Sequence, residues 1–305
     1  MTAAVRRLVT GSAPERSPGL RRAAHATRWR NAVQRVWVAI AVAGGCASIA
    51  AADVGARPAV PRDAAPLRIV FPEGFSARQM TDRVTAVRRI AISKRRVAPR
   101  LTGRAYAEAV GRARPPRQFV RQMKRRSVEG FLFPTLYEFS RTTTATDLVA
   151  RQLAAFEQSW RTVELTAARA RGRTPYDVLT IASMVEREVV APEERRLVAA
   201  VIYNRLERDM KLGIDATIRY GLGIPGTRPL TKTHLASDSP YNTRRFKGLP
   251  PTPIGNPGLA SIQAAARPAN LDFLYYVRKP DRIHHFFTAD EQEFCEKARE
   301  YGHSC

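Results

Sequence analysis

Cysteine is scarce in this chain of 305 residues, which contains only three. No Cys-x-x-Cys pair and no His-Glu-x-x-His motif is present, so the usual spacing of a zinc site is missing. The adjacent His284 and His285 could bind a metal, but no clustered acids or cysteines support them. Cys295 and Cys305 lie ten residues apart. Outside the cytoplasm they could form a disulfide, and two free thiols fit the spacing nearly as well.

Acidic residues are also few, with 27 Asp and Glu against 51 Lys and Arg and a net charge of +24. Between Arg88 and Arg126, fourteen basic residues accompany a single acid, Glu108. Such a segment can bind nucleic acid, anionic lipid or an anionic wall polymer, and an ordinary solvated face explains it as well. Its only aromatic residues are Tyr106 and Phe119, so it offers no platform for stacking nucleic-acid bases.

One long charge-free run, Val36 to Ala52, follows a tail of residues 1–35 that holds eight Arg and one acid. The run is near the lower length limit of a membrane span and is long for a signal-peptide core. An uncleaved signal anchor is the favoured interpretation, while cleavage after Ala52 and lipidation of Cys46 stay open. Basic residues before the run keep the amino terminus in the cytoplasm. Residues 53–305 are therefore predicted on the extracytoplasmic side of the cytoplasmic membrane, which argues against nucleic acid as a partner.

The chain after the anchor is predicted to belong to the α+β class. Prolines among small residues indicate a linker at 53–66. Residues 67–126 indicate a small α/β subdomain, with a strand at 67–71, a helix capped by Ser76 and a second helix over 106–110. This subdomain is too small to hold much core and is expected to dock on a mainly helical domain at 127–305.

The larger domain is expected to combine several helices with a short β-sheet. The clearest helix start is at Thr174, where Pro175 occupies the first helical position and Asp177 can reach back to the cap. The expected elements are, in order, a helix over 145–170, a helix from Thr174 to about Val190, a helix from Pro192, a loop-rich region after Met210, paired strands at 274–277 and 283–287, and a helix over 289–301.

One carboxylate, Glu186, stands in an otherwise apolar helical stretch. Helical spacing places three residues on its face, Leu179, Ala182 and Ser183. A carboxylate among apolar neighbours is costly to ionise, which raises its pKa and suits it to donate a proton in glycosidic-bond cleavage. The alternative is an ordinary helix glutamate that is solvated or paired with Arg195 or Arg205.

Six motifs in a fixed order carry a resemblance to a known family. They are EGFLFP at 129–134, ASMVERE at 182–188, VIYNRLERDMKLGIDATIRYG at 201–221, SPYNTRRFKGLPPTPIGNPG at 239–258, AAARPAN at 264–270, and LYYV followed by HHFFT within 274–288. With these motifs, residues 67–305 resemble the endolytic murein transglycosylases, also called the YceG-like family.

The resemblance implies a membrane-anchored lyase that cuts nascent peptidoglycan strands internally, at the MurNAc–GlcNAc β-1,4 bond, and ends strand elongation. The products would carry 1,6-anhydroMurNAc ends. It also implies a LysM-like subdomain at 67–126, a catalytic domain at 127–305, no metal or organic cofactor, and peptidoglycan synthases as further partners. The first Glu of the Val-Glu-x-Glu motif, Glu186, would be the catalytic acid, with Glu188 the runner-up. A wall-glycan-binding protein without activity and a hydrolase of the same bond remain alternatives.

Several polar residues are candidates for substrate contact, although each could instead serve a turn or a cap. They are Tyr241, Asn242 and Thr243 for N-acetyl and hydroxyl groups, Asp215 and Thr217 for lining the cleft, and Asn204 for orienting Glu186. For Glu129 a turn carboxylate is favoured, and for His285 a packed histidine at a strand end.

Three positions depart from the family's pattern. Thr135 stands where the turn usually has Asp, Ala216 where Pro is usual, and Asp209 where Gly precedes the Met. Loss of the turn carboxylate at Thr135 weakens any role for that position.

Overall fold

The computed structural model describes residues 66–305, so the predicted tail, anchor and nearly all of the linker lie outside the described residues. Within 66–305, no helix is both long enough and apolar enough to span a membrane.

Helices and short strands mix in an α+β fold, as predicted. The strands are β1 (Leu67–Val70), β2 (Leu136–Phe139), β3 (Tyr275–Arg278) and β4 (His285–Thr288). The helices are α1 (Ala77–Arg95), α2 (Gly103–Arg112), α3 (Arg117–Val120), α4 (Ala145–Trp160), α5 (Thr166–Ala170), α6 (Pro175–Glu188), α7 (Arg195–Glu207), α8 (Asp215–Leu222), α9 (Lys232–Leu235), α10 (Leu259–Ala266) and α11 (Glu291–Glu300).

A small layer forms around the antiparallel pair of β1 and β2, in which Leu67 lies opposite Phe139. Ser76 caps α1 through a capping box, α1 packs on β1, and α2 packs on α1 within the same core, as the strand–helix–helix pattern predicts. Residues after 126 complete this layer, because β2 and the buried Leu148 and Val149 of α4 belong to the same core. The division at 126/127 therefore falls inside this layer.

Helix α6 is the centre of the larger core. Its amino end has the predicted capping box between Thr174 and Asp177, with Pro175 in the first turn. Helices α7 and α10 pack on it, and every residue from Val178 to Val185 is buried. A helix buried on all sides carries apolar residues on all sides, as this one does. Burial becomes partial at Glu186, where the helix approaches the surface.

One expectation for the helical region was wrong. The helix expected over 145–170 is two helices, because α4 ends at Trp160 and α5 begins only at Thr166. Glu164 accepts hydrogen bonds from the backbone N–H and the hydroxyl of Thr166, at 2.9 and 2.6 Å, and this local cap competes with a continuous helix. The region after Met210 is loop-rich, as predicted, and it also contains α8, α9 and α10. These helices are short, and α10 is rich in buried alanine, so none shows a clear helical period.

The second antiparallel pair, β3 and β4, matches the predicted strands, with Tyr275 opposite Thr288. Helix α11 packs on this pair. Cys295 and Cys305 form a disulfide with a Cα–Cα distance of 5.1 Å. Of the two alternatives left open by the sequence, a disulfide or two free thiols, the structure contains the disulfide. It holds the residues after α11 against the helix.

Candidate active site

The carboxyl end of α6 opens into a cleft of about 800 Å³. Its walls come from the turn after β1, the beginning of α8, strand β3 and the tail after α11. Acidic and basic side chains share the lining: Glu73, Glu186, Glu188 and Asp215 among the acids, and Arg187, Arg205, Arg219, Arg244 and Arg278 among the bases. The larger core thus ends in a polar groove in which opposite charges lie close together.

Glu186 is half-buried in this cleft. Its Oε2 accepts a hydrogen bond of 3.0 Å from the backbone N–H of Gly258, the residue that caps α10. The positive amino end of a helix stabilises a nearby negative charge. Glu186 takes part in no salt bridge among residues 66–305, so pairing with Arg195 or Arg205 is not observed. Those arginines donate instead to Ser261 and to backbone carbonyls, including that of Leu274.

Glu188 belongs to a different hydrogen-bonded pair in the same cleft. The hydroxyl of Tyr276 donates to Glu188 Oε2 at 3.1 Å. Burial raises the pKa of the Glu188 carboxyl, the Tyr276 hydrogen bond opposes the rise, and the negative charge of Asp215 adds to it. Burial and the charge of Glu188 raise the pKa of Tyr276 well above its usual value. The geometry therefore gives Glu188 a side-chain partner, whereas the hydrogen bond to Glu186 comes from the backbone N–H of Gly258.

Asp215 reaches the cleft from the first turn of α8. Its carboxylate pairs with the Arg244 guanidinium at 2.7 Å, and both side chains are about half exposed. Ala216, one of the positions that depart from the family's pattern, lies beside it in the cleft wall and is largely buried. Asp215 is thus the one predicted contact residue that shares the cleft with Glu186.

Thr217, Thr243 and Tyr241 direct their hydroxyls into the protein. Thr243 Oγ1 accepts from the backbone N–H of Ile214 at 3.0 Å, and Thr217 Oγ1 donates to the Ile214 carbonyl at 2.6 Å. The Tyr241 hydroxyl shares a hydrogen bond of 2.9 Å with Thr252. These three side chains hold the segment that leads into α8, and substrate contact at them stays a prediction.

Asn242 and Asn204 are also satisfied internally. The Asn242 amide is fully buried and donates to two backbone carbonyls of the preceding turn, at 2.9 and 2.8 Å. The Asn204 amide donates to the carbonyls of Leu271 and Phe273, at 2.8 Å each. Both amides join neighbouring segments and neither lines the cleft. A direct contact of either one with substrate stays a prediction, and in this structure they support the cleft walls.

The other two departures from the family's pattern have local explanations. Asp209 has a φ of +50°, a left-handed conformation that glycine adopts more easily, which accounts for the usual Gly at this position. Thr135 is exposed outside the cleft lining, and its carbonyl accepts a hydrogen bond from the Phe71 N–H at 3.0 Å. The loss of a carboxylate at Thr135 therefore does not change the charge of the cleft lining.

Glu129 and Asn256 form a buried polar junction behind the cleft. Glu129 accepts hydrogen bonds from the Ala77 N–H at 3.0 Å, the Tyr220 hydroxyl at 3.0 Å and the Asn256 amide at 2.8 Å. Asn256 Oδ1 in turn accepts from the N–H groups of Gly130 and Leu132, at 2.8 and 2.9 Å. The junction joins the start of α1, the EGFLFP turn and the segment before α10.

This junction also fixes the positions of residues that contact Glu186 in the cleft. Asn256 lies two residues before Gly258, whose N–H contacts Glu186, so fixing Asn256 fixes the start of α10. Gly130 has a φ of +92°, and a Cβ there would lie 2.7 Å from Pro253, so the EGFLFP turn requires glycine. Asn256 is in one of the quoted motifs but had no predicted role, because its buried partners come from distant parts of the chain.

Stability is expected to depend on the titration of Glu129. Burial raises the pKa of Glu129 from 4.5 to about 7, although hydrogen bonds from Ala77, Tyr220 and Asn256 oppose the rise. Between these pH values the folded protein keeps a proton that the unfolded chain releases. The stabilisation from this group is thus complete below pH 4.5 and is lost as the pH rises through 7. At about 1.4 kcal/mol per pH unit, the change is on the order of 3 kcal/mol.

The measurement is the free energy of unfolding in urea across this pH range, for the wild type and Glu129→Gln. The variant cannot titrate at this position, so its stability is expected to fall less steeply with pH than that of the wild type. Parallel pH dependences in the two proteins would contradict the assignment.

The paired histidines lie outside the cleft lining. His285 is buried at the start of β4, and its Nδ1 lies 2.7 Å from Glu194, so the expectation of a packed strand-end histidine is confirmed. His284 Nδ1 lies 2.9 Å from Asp281 at the surface. Within residues 66–305, no group of three or more His, Cys, Asp or Glu side chains is arranged to hold a metal ion.

Comparison with known proteins identifies the family. The family model described as "YceG-like family" matches residues 52–300, and the chain belongs to that family. The fold is similar to the crystal structure of a YceG-like protein from Listeria monocytogenes, with a TM-score of 0.59 and 27% identity over 75% of each chain. The resemblance carried by the sequence motifs is therefore confirmed.

Two curated relatives carry the name endolytic murein transglycosylase. The protein of Bacillus subtilis strain 168 is 35% identical over 152 residues, which are 50% of this chain and 42% of the relative. The protein of Streptococcus pneumoniae strain R6 is 36% identical over 154 residues, which are 49% of this chain and 28% of the relative. The matches thus span less than half of the length of these relatives.

Proposed function

We propose that this chain is an endolytic murein transglycosylase that cleaves the MurNAc–GlcNAc β-1,4 bond of peptidoglycan strands. The observation that carries the proposal is the position of Glu186 at the carboxyl end of α6, where it reaches an open polar cleft and forms no salt bridge with any of residues 66–305. Membership of the YceG-like family and the names of the two curated relatives support the same activity.

In the proposed reaction, Glu186 acts first as an acid and then as a base. It donates its proton to the bridging oxygen as the glycosidic bond breaks. The resulting carboxylate then takes the proton of the C6 hydroxyl, whose oxygen attacks C1 of the same sugar. Closure of this ring gives the 1,6-anhydroMurNAc end and restores the protonated acid. Because the nucleophile belongs to the substrate, proximity replaces the second carboxylate that a hydrolase uses.

Two further features fit this reaction. The Gly258 N–H at the amino end of α10 stabilises the Glu186 carboxylate in the interval between its two proton transfers. Asp215, which also lines the cleft, is a candidate for placing the C6 hydroxyl. The developing oxocarbenium ion needs stabilisation, and the N-acetyl group of the substrate is a candidate for that role.

We further propose that the enzyme acts at the extracytoplasmic face of the cytoplasmic membrane and ends the elongation of nascent strands. The charge-free run at 36–52 and the basic residues before it support a single-pass anchor. The βααβ order of the small layer supports a LysM-like role in holding glycan. Peptidoglycan synthases are the proposed protein partners, because they make the strands that would be cut.

The test is a digest of purified peptidoglycan with the wild-type protein, analysed by mass spectrometry. Products with 1,6-anhydroMurNAc ends released from within strands are expected. Products with reducing MurNAc ends would show a hydrolase of the same bond. Binding of the strands without any cleavage would show a wall-glycan-binding protein, and either result would overturn the proposal.

A further inference from the structure

A second cavity lies next to the cleft, between the start of α1, the end of α6 and the turn after α8. Its volume is about 290 Å³, near the lower end of the roughly 300–1,000 Å³ that small-ligand sites have. Arg187, Arg219 and Gly226 line both spaces, so the cavity and the cleft are neighbours. Arg187 also follows Glu186 directly in the chain. A group attached to a sugar in the cleft can therefore enter this cavity from the side.

Three guanidinium groups from three different helices converge on the cavity. Arg78 comes from α1, Arg187 from α6 and Arg219 from α8. None of them forms a salt bridge within residues 66–305. Their hydrogen bonds go to backbone carbonyls: Arg78 to Gly223 at 3.0 Å, Arg187 to Gly74 at 3.3 Å, and Arg219 to Pro225 and Arg228 at 3.1 and 2.6 Å. A guanidinium has five N–H donors, and these bonds use one or two of each, so donors remain for a ligand.

The positive charge of the cavity is not neutralised by its lining. Glu129 is the one acidic residue among the described residues of that lining, and its oxygens already accept hydrogen bonds from the protein. Burial raises the pKa of Glu129 to about 7, so near neutral pH this group carries only part of a charge. Burial lowers the pKa of Arg187, the charge of Glu188 opposes the change, and the charge of Arg219 adds to it. Arg187 and Arg219 thus repel each other, and an anion in the cavity would be attracted by both.

The chemistry of peptidoglycan indicates which anion this is. GlcNAc is uncharged, and so is MurNAc when its lactyl carboxyl carries the peptide as an amide. The free carboxylates of the strand then belong to that peptide. Guanidinium and carboxylate form strong charge-assisted hydrogen bonds, often in pairs. The cavity is too small for a run of sugars, but it suits one end of a short peptide attached to a sugar in the cleft.

We propose that this cavity binds a free carboxylate of the peptide carried by MurNAc, with Arg78, Arg187 and Arg219 as its donors. The enzyme would then select strands whose peptides keep their free carboxylates. This inference rests on the proposed function, because it requires a glycan strand in the cleft. The small layer takes part in substrate binding through Arg78, whatever else it does in holding glycan.

The test compares two substrates with the full-length protein. One is uncrosslinked peptidoglycan whose peptides have free carboxylates, and the other is the same material with those carboxyls converted to carboxamides. The conversion removes the charge and keeps the size of the peptide. The wild type is expected to show a kcat/KM about tenfold to a hundredfold higher for the carboxylate substrate, the range of a hydrogen bond to a charged group. Equal values for the two substrates would overturn the inference.

Arg78→Gln separates binding from chemistry, because Arg78 lines the cavity but not the cleft. The variant is expected to reduce the preference for the carboxylate substrate by about tenfold, the lower end of that range, since Arg78 is exposed. The loss is expected in KM, with kcat changed little, because the carboxylate contact is the same in the ground state and the transition state. A loss of the same size with both substrates would show a structural role of Arg78 and would overturn the inference.

Arg83→Gln is the matched control. Arg83 is also an exposed arginine of α1, and its Nε donates to a backbone carbonyl, that of Val70, at 3.2 Å. It does not line the cavity. The preference of this variant is expected to equal that of the wild type. A preference reduced as strongly as in Arg78→Gln would show a general effect of positive charge and would contradict a specific site.

A binding measurement does not depend on activity. The probe is N-acetylmuramyl-L-alanyl-D-glutamate, compared with its carboxamide form by isothermal titration calorimetry. The Kd of the carboxylate probe is expected to rise about tenfold in Arg78→Gln, while the wild type binds the carboxamide probe at least tenfold more weakly than the carboxylate probe. Tighter binding of inorganic phosphate than of the carboxylate probe would show a phosphate site and overturn the inference. A wild type that binds the probe as expected but forms no anhydro products would overturn the proposed function, while the cavity keeps its ligand.

Discussion

Glu186→Gln is expected to lower the rate of anhydro-product formation by about a hundredfold to ten-thousandfold, the range that a general acid contributes. Glutamine keeps the size of the side chain and can still accept the Gly258 hydrogen bond through its amide oxygen. It has no acidic proton to give to the bridging oxygen, so the loss falls on the chemical step. The measurement is the rate at which anhydro ends form from purified peptidoglycan, with KM determined separately and expected to change little.

Glu188→Gln is the matched control, because it alters the second carboxylate of the same motif in the same cleft. Its amide can keep the hydrogen bond with Tyr276, so most of the activity is expected to remain. Activity that survives Glu186→Gln but is lost in Glu188→Gln would reverse the assignment. Strong binding of strands by Glu186→Gln without cleavage would agree with the proposed role.

Asn256→Ala is expected to destabilise the protein by about 3 to 5 kcal/mol. The side chain is fully buried and accepts from the N–H groups of Gly130 and Leu132. Alanine would leave both N–H groups unpaired and would remove a donor from the buried Glu129 carboxylate. Each such loss costs about 1 to 3 kcal/mol when no water replaces the partner. The free energy of unfolding in urea measures the effect.

Asn270→Ala serves as the control, since Asn270 is exposed and its loss is expected to change stability by less than about 0.5 kcal/mol. If Asn256→Ala were as stable as this control, the buried junction would not be holding the EGFLFP turn. Because Asn256 also fixes the start of α10, the surviving folded fraction of the variant is expected to have reduced activity.

Local sequence alone determined much of the framework. The cap of α6 could be predicted because Thr174, Pro175 and Asp177 act within one turn of the chain. The strand pair β3–β4 and the βαα order of the small layer follow from alternation and turn residues, which are also local signals. Glu186 could be singled out because an acidic residue at the end of a long apolar stretch is unusual. The order of six motifs was enough to identify the family.

Only the tertiary structure decided which residues meet. Arg78 and Arg219 lie far apart in the chain, so their convergence on one cavity has no local signature. The same holds for Asn256, whose partners lie in the EGFLFP turn. Conversely, the polar block at Tyr241–Thr243 looks like a binding loop in sequence, yet its side chains form hydrogen bonds with other parts of the protein. Whether a polar group faces substrate or protein depends on packing between distant segments, and hydrophobic periodicity does not record that packing.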